Sequence, residues 1–167
     1  MNDKYKNKYR IASARAPFWD YWWEGAYFVT ICTKYRECFF RNIKNGMMTL
    51  SRLGEIAENE WLKTPKLRPD MNLELGPFVI MPNHVHGIII IEKNKYNDRG
   101  NQRRGAMHCT STLETPKNKF GPQSKNLASI IRGFKMAVTA NARKIHVSFA
   151  WQPLFHDHII RDDKFYK

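Results

Sequence analysis

The sequence predicts an α+β protein, a ferredoxin-like antiparallel four-stranded sheet carrying two main helices, with a C-terminal helix that is only begun. Three observations lead there. The elements run strand, helix, strand, strand, helix, strand, an order that fits such a sandwich. Two apolar runs flank Pro82-Asn83, a turn signal short enough to make them an antiparallel hairpin. The 167 residues suit one core of ordinary size, so residues 1–167 read as a single domain.

The elements follow in order. Residues 1–20 form an N-terminal arm whose first part, Met1 to Ala16, is basic (Lys4, Lys6, Lys8, Arg10, Arg15), leading into the aromatic cluster Pro17 to Trp23. That cluster reads as a flap packed over the sheet, or as a platform for unpaired bases. Tyr27 to Thr33 is a strand with Tyr27, Val29 and Ile31 on one face, and Cys38-Phe39-Phe40 continues an edge. Leu50 to Leu62 repeats apolar residues at helical spacing (Leu50, Leu53, Ile56, Ala57, Trp61) and Pro65 ends it. Phe78 to Met81 is a short strand and His84 to Ile91 the next. Ile88 to Ile91 is apolar on both faces, the pattern of a central strand covered on both sides.

Residues 93–123 are polar, basic and without period, the composition of a long loop. Asn126 to Lys144 is the strongest helix, with Leu127, Ile131, Phe134, Val138 and Ala142 in one stripe. Gly133 costs about 1 kcal/mol there relative to Ala, and would admit the close approach of another backbone. Phe155 to Ile160 is a last strand. Asp162 and Asp163 suit the first turn of a further helix, where the dipole favours acids.

Charge narrows the function. Lys and Arg total 28 against 15 acids, a net +13, and a field of that sign draws polyanions. From Lys93 to Lys144 twelve basic residues stand against Asp98 and Glu114 alone. Hydrophobic residues at 43% and aromatics at 13% exclude a disordered tail protein. No apolar run is long enough for a membrane span, and no secretory signal follows Met1. Cys32, Cys38 and Cys109 are odd in number with no CxxC pair, which argues for reduced thiols in a cytoplasmic protein.

The chemistry centres on His84-Val85-His86. Side chains on a strand alternate with period two, so both imidazoles share a face while Val85 anchors the opposite one. Two rings on one face can share a cation. They are too few for a closed structural zinc site, so the pattern is that of an open, catalytic one. Among the other polar residues, His158 is a candidate ligand or phosphate contact if the last strand neighbours the His84 strand; His156 shares its face. Arg132, Lys135, Arg161 and Lys125 are candidate DNA contacts, and each is equally readable as part of a solvated basic face.

Met81-Pro82-Asn83-His84-Val85-His86-Gly87-Ile88 resembles the signature of the HUH single-tyrosine transposases, above all the REP-associated tyrosine transposases. Gly25 to Thr33 resembles that family's first strand and Ser129 to Lys135 its second helix. Trp151-Gln152 with Asp157 to Arg161 resembles its last strand. The resemblance implies binding of hairpin or single-stranded DNA, with Mg²⁺ or Mn²⁺ on His84 and His86. It further implies attack by a tyrosine on the scissile phosphate, leaving a 5′-phosphotyrosine link that conserves the bond's energy. It also implies a monomer or homodimer. The family's nucleophile segment, a Tyr-Ile-x-x-Asn-Pro-like run, is not found before Lys167, and Tyr166 aligns short of it. Two readings stand: a truncated derivative that binds DNA without cutting, which is the favoured one, or Tyr166 as nucleophile. A metal-dependent hydrolase unrelated to DNA is disfavoured, because no further ligand pair lies near.

Overall fold

A computed structural model describes Trp19, residues 21–97 and residues 124–160. In chain order the elements are β1 (Gly25–Cys32), β2 (Arg41–Lys44), β3 (Met47–Leu50), α1 (Arg52–Lys63), β4 (Leu73–Ile80), β5 (His84–Ile91), α2 (Leu127–Ala142) and β6 (His156–Ile160). The main sheet is ordered β4-β5-β1-β6 with every neighbouring pair antiparallel, as the predicted sandwich requires. The N-terminal arm up to Phe18, the loop from Asp98 to Gln123, and Arg161 to Lys167 lie outside the described residues. The expected last helix and Cys109 fall there.

Alternation decides which face meets the helices. Tyr27, Val29 and Ile31 of β1 and Val85, Ile89 and Ile91 of β5 are essentially without exposure, and they cluster with Trp61 of α1 and Ile131, Phe134 and Val138 of α2. Each helix is held at its start. Ser51 accepts from the Gly54 amide, and Asn126 and Ser129 cap each other reciprocally. The other face of β5, carrying His84, His86, Ile88 and Ile90, is only half-buried. The expectation of cover on both sides is therefore corrected: both described helices lie on one layer.

Three further expectations change. Cys38 to Phe40 is not a strand; Cys38 is exposed, and Phe40 turns inward with no exposure. The two-stranded sheet instead pairs Arg41–Lys44 with Met47–Leu50 around Asn45-Gly46, both in left-handed conformation as a tight hairpin turn demands. Leu50 closes that hairpin, so α1 begins two residues later than its periodicity suggests. β4 reaches back to Leu73, with a register shift between Leu75 and Phe78. Pro77 has no N–H to give a ladder, which is tolerated because β4 is an edge strand. The aromatic cluster is a flap in part: Tyr21 is buried beside Tyr27, and Trp19 donates to the Tyr27 hydroxyl at 3.1 Å, while Trp23 stays exposed.

Gly87, immediately after the histidine pair, has a packing reason. It points into the core, where a Cβ would sit 2.3 Å from Trp61 Cζ2 and 3.0 Å from Phe78 Cβ. The Trp61 indole thus lies directly against the strand behind His86.

Candidate metal centre

His84 and His86 stand on the open face with ring centroids 4.4 Å apart and planes at 76°, while Val85 between them is fully buried on the opposite face. The turn before them is fixed by the segment after β1. The Asn83 carbonyl accepts from the Thr33 amide and hydroxyl, both at 2.9 Å, and the Pro82 carbonyl accepts from the Phe40 amide at 2.9 Å. The Asn83 side chain donates through Nδ2 to the Arg36 carbonyl at 3.1 Å, which leaves its Oδ1 to meet His84 Nδ1 at 2.6 Å. That amide orientation puts the His84 proton on Nδ1 and leaves the Nε2 lone pair. His86 Nδ1 lies 2.8 Å from the Thr30 hydroxyl, and its ring stacks on Phe28 at 5.3 Å. Both imidazoles therefore have Nδ1 engaged, the outer-shell arrangement that orients a ligating histidine.

Electrostatics points the same way. Burial holds both imidazoles below their ordinary pKa, and for His84 the neighbouring His86 adds to the effect. Neutral rings are the form that ligates a cation. The sign is definite: a depressed folded-state pKa means acid favours the unfolded chain, so this contribution to stability is lost as pH falls through the folded value. Metal-free NMR titration is expected to show both rings charging below the ordinary imidazole value of 6.5. A midpoint at or above it would contradict this environment.

Among the described residues no group of three or more His, Cys, Asp or Glu side chains is arranged to hold a metal. The donor set that is present, two imidazoles on a half-open face with their Nδ1 atoms engaged, fits an open site completed by water or phosphate oxygens. Mg²⁺ prefers oxygen ligands and keeps several waters, so Mn²⁺ is the sharper probe.

The remaining candidates disperse. β6 pairs with β1, not β5, so β1 stands between His158 and the pair, and His158 faces Phe28. The condition set for His158 is not met. His156, ranked below it from sequence, shares the cross-strand row of Thr30 and His86 and is exposed. Arg132 and Lys135 are on α2, in the layer opposite the histidines. The Lys135 ammonium donates to the carbonyls of Gln152 and Leu154 at 2.7 and 2.9 Å, holding the 152–154 segment against the helix. Lys125 is ion-paired with Asp70. Arg161 and Tyr166 lie outside the described residues. Thr30, Asn83 and Phe28 were not singled out from sequence. Asn83 had a local signal in its adjacency to His84, whereas Thr30 and Phe28 are found only from the β1–β5 register.

No family model matches the chain. A protein of Haemophilus influenzae, carrying only the name uncharacterized protein, is 39% identical over 156 residues, covering 92% of this chain and 81% of that one. The chain belongs to that protein's family. Among solved structures, a REP-associated tyrosine transposase bound to a REP hairpin superposes with a TM-score of 0.53 at 18% identity. The match covers 91% of this chain and 66% of that one, so this chain spans just under two thirds of its length. The likeness shows a transposase-like fold. No helix among the described residues is long and apolar enough to cross a membrane.

Proposed function

We propose that the chain is a transposase-like DNA-processing protein that takes hairpin or single-stranded DNA ends on the open face of its sheet. His84 and His86 would hold Mg²⁺ or Mn²⁺ there. The observation that carries this is the pair itself: two imidazoles on one half-open face of a transposase-like fold, each with Nδ1 tied down. A cation on them would polarise a phosphate oxygen and neutralise charge developing on it. The chain's own residues do the rest. Asn83 and Thr30 hold the rings in place, Phe28 braces His86, and the basic excess draws the polyanion. The REP-associated tyrosine transposase that shares this fold was bound to a REP hairpin, which supports DNA as the substrate class.

A labelled stem-loop incubated with the protein and Mn²⁺ tests the reading. A covalent adduct lost in Tyr166→Phe supports strand cleavage through a tyrosyl link. Binding without an adduct supports the second reading, a DNA-binding protein that does not cut. Affinity is expected to fall as a straight line in log–log salt; for about six phosphate contacts the loss from 50 to 200 mM salt is roughly 10³-fold. Affinity insensitive to salt would exclude both readings.

A further inference from the structure

Two consecutive residues just after β1 hold strained backbone. Tyr35 and Arg36 have left-handed φ values of 55° and 58°, a conformation natural for glycine and disfavoured for long side chains. The strain is fixed by hydrogen bonds around it. The Lys34 amide donates to the Ala150 carbonyl at 2.9 Å, the Arg36 amide to the Thr33 carbonyl at 3.2 Å and the Glu37 amide to the Lys34 carbonyl at 3.3 Å. Thr33 is fully buried, and its hydroxyl also reaches the Glu37 carbonyl at 2.8 Å. What the closed turn displays is Tyr35, 80% exposed. So exposed a ring adds nothing to the core, and glycine would make the same turn without strain. Strain kept for side chains that bury nothing points to work done outside the fold. The neighbours suit that work. Lys34 lies over the Tyr35 ring, its Nζ 4.9 Å from the centroid, and Lys34 and Arg36 are both exposed. Among the described residues neither cation is paired with a carboxylate, the exposed Glu37 included. One side chain joins this turn to the histidines: Asn83 donates through Nδ2 to the Arg36 carbonyl at 3.1 Å and meets His84 Nδ1 at 2.6 Å. An open aromatic ring flanked by cations is what holds an unpaired nucleotide, the base stacking on the ring and the phosphates meeting the charges.

We propose that Tyr35, with Lys34 and Arg36, forms a stacking clamp for an unpaired DNA nucleotide next to the phosphate taken at His84 and His86. The base lies on the Tyr35 ring, and the backbone phosphates on either side of it meet the two cations. This rests on the reading that the chain takes DNA ends, and it adds which part of the strand is unpaired and where it is gripped. Tyr35 is a positioning residue: it sets the register of the strand on the histidine site through its ring, and its hydroxyl is not required.

The test uses the full chain and two labelled probes over a range of salt: the stem-loop with a single-stranded tail, and a blunt duplex of the same stem. Tyr35→Ala is expected to weaken binding of the tailed probe about fivefold to 100-fold, the worth of one stacked base, with the salt slope and the duplex affinity unchanged. Tyr35→Phe keeps the ring and should bind as the unsubstituted chain does. Lys34→Gln and Arg36→Gln should each lower the slope for the tailed probe by about 0.7, one phosphate contact on a single strand. Tyr35→Gly relieves the left-handed backbone, so it should raise the urea midpoint while losing as much affinity as Tyr35→Ala. Stability gained with affinity lost is a pairing that a merely structural side chain would not give. Full affinity of Tyr35→Ala for the tailed probe overturns the clamp while leaving DNA binding intact. Equal losses on the tailed probe and the duplex overturn the assignment to an unpaired base. Unchanged slopes in both cation variants overturn the phosphate contacts. Absence of binding to either probe by the unsubstituted chain sinks the functional reading instead, and this proposal with it.

Discussion

Alanine at both His84 and His86 is expected to abolish saturable Mn²⁺ binding by the full chain, followed by the loss of the free-ion EPR signal on titration. The two rings are in contact on the sheet's open face, with centroids 4.4 Å apart. Removing them takes away both imidazole donors of the pair. The outer shell should matter almost as much. Asn83→Ala frees His84 Nδ1 and Thr30→Val frees His86 Nδ1, so each should weaken Mn²⁺ affinity about 10–100-fold by releasing ring orientation and tautomer. The metal-free fold should persist in all three variants, since these side chains are half-buried and outside the hydrophobic core. The converse control is Arg132→Gln, on the other layer, which should bind Mn²⁺ as the unsubstituted chain does. Undiminished Mn²⁺ binding in the double alanine variant would remove the metal centre altogether.

The second large effect is expected at Gly87. A methyl group there would overlap Trp61 Cζ2 at 2.3 Å and Cε2 at 3.0 Å, and Trp61 has no exposure through which to withdraw. Its ring is pinned edge-on by Phe134 at 5.3 Å. Overpacking of this sort costs about 1–3 kcal/mol, and Gly87→Ala is expected at the upper end, read as a lower urea midpoint. Because residue 87 follows His86 on the same strand, relief of the clash by strand movement should also weaken Mn²⁺ binding. Trp61→Phe removes the overlapping ring atoms together with an indole N–H that is buried without a hydrogen-bond partner among the described residues. In that background Gly87→Ala should cost less than in the native chain, by about 1 kcal/mol or more of favourable coupling. Strictly additive effects would mean that the indole is not what reserves the space at position 87.

The histidine pair shows how far reading the sequence can go. Period-two alternation is enough to put His84 and His86 on one face and Val85 on the other, and β5 has the bounds its apolar run suggests. The helical stripe of α2 was equally plain, because Leu127, Phe134 and Val138 repeat at helical spacing and are buried. Elsewhere a local pattern misled. Ile88 to Ile91 is apolar at every position, and such a run carries no record of which face is covered. The short β2–β3 hairpin escaped because Ile43, Met47 and Met48 are exposed, so no buried alternation marks its strands. Its Asn45-Gly46 turn was the available signal.

What the amino-acid order settled by itself is local: the strands and helices of the main sandwich, their antiparallel order, and two imidazoles sharing a face, each following from backbone periodicity. Only the tertiary structure decided what meets what. The strand order β4-β5-β1-β6 placed Thr30 beside His86 and kept His158 a strand away. The helix layer carried Arg132 and Lys135 to the far side of the sheet, and the gap at Gly133 seated the guanidinium of Arg68 from a distant loop. Such outcomes depend on register and packing between segments remote in sequence, where spacing along the chain gives no measure of distance in space.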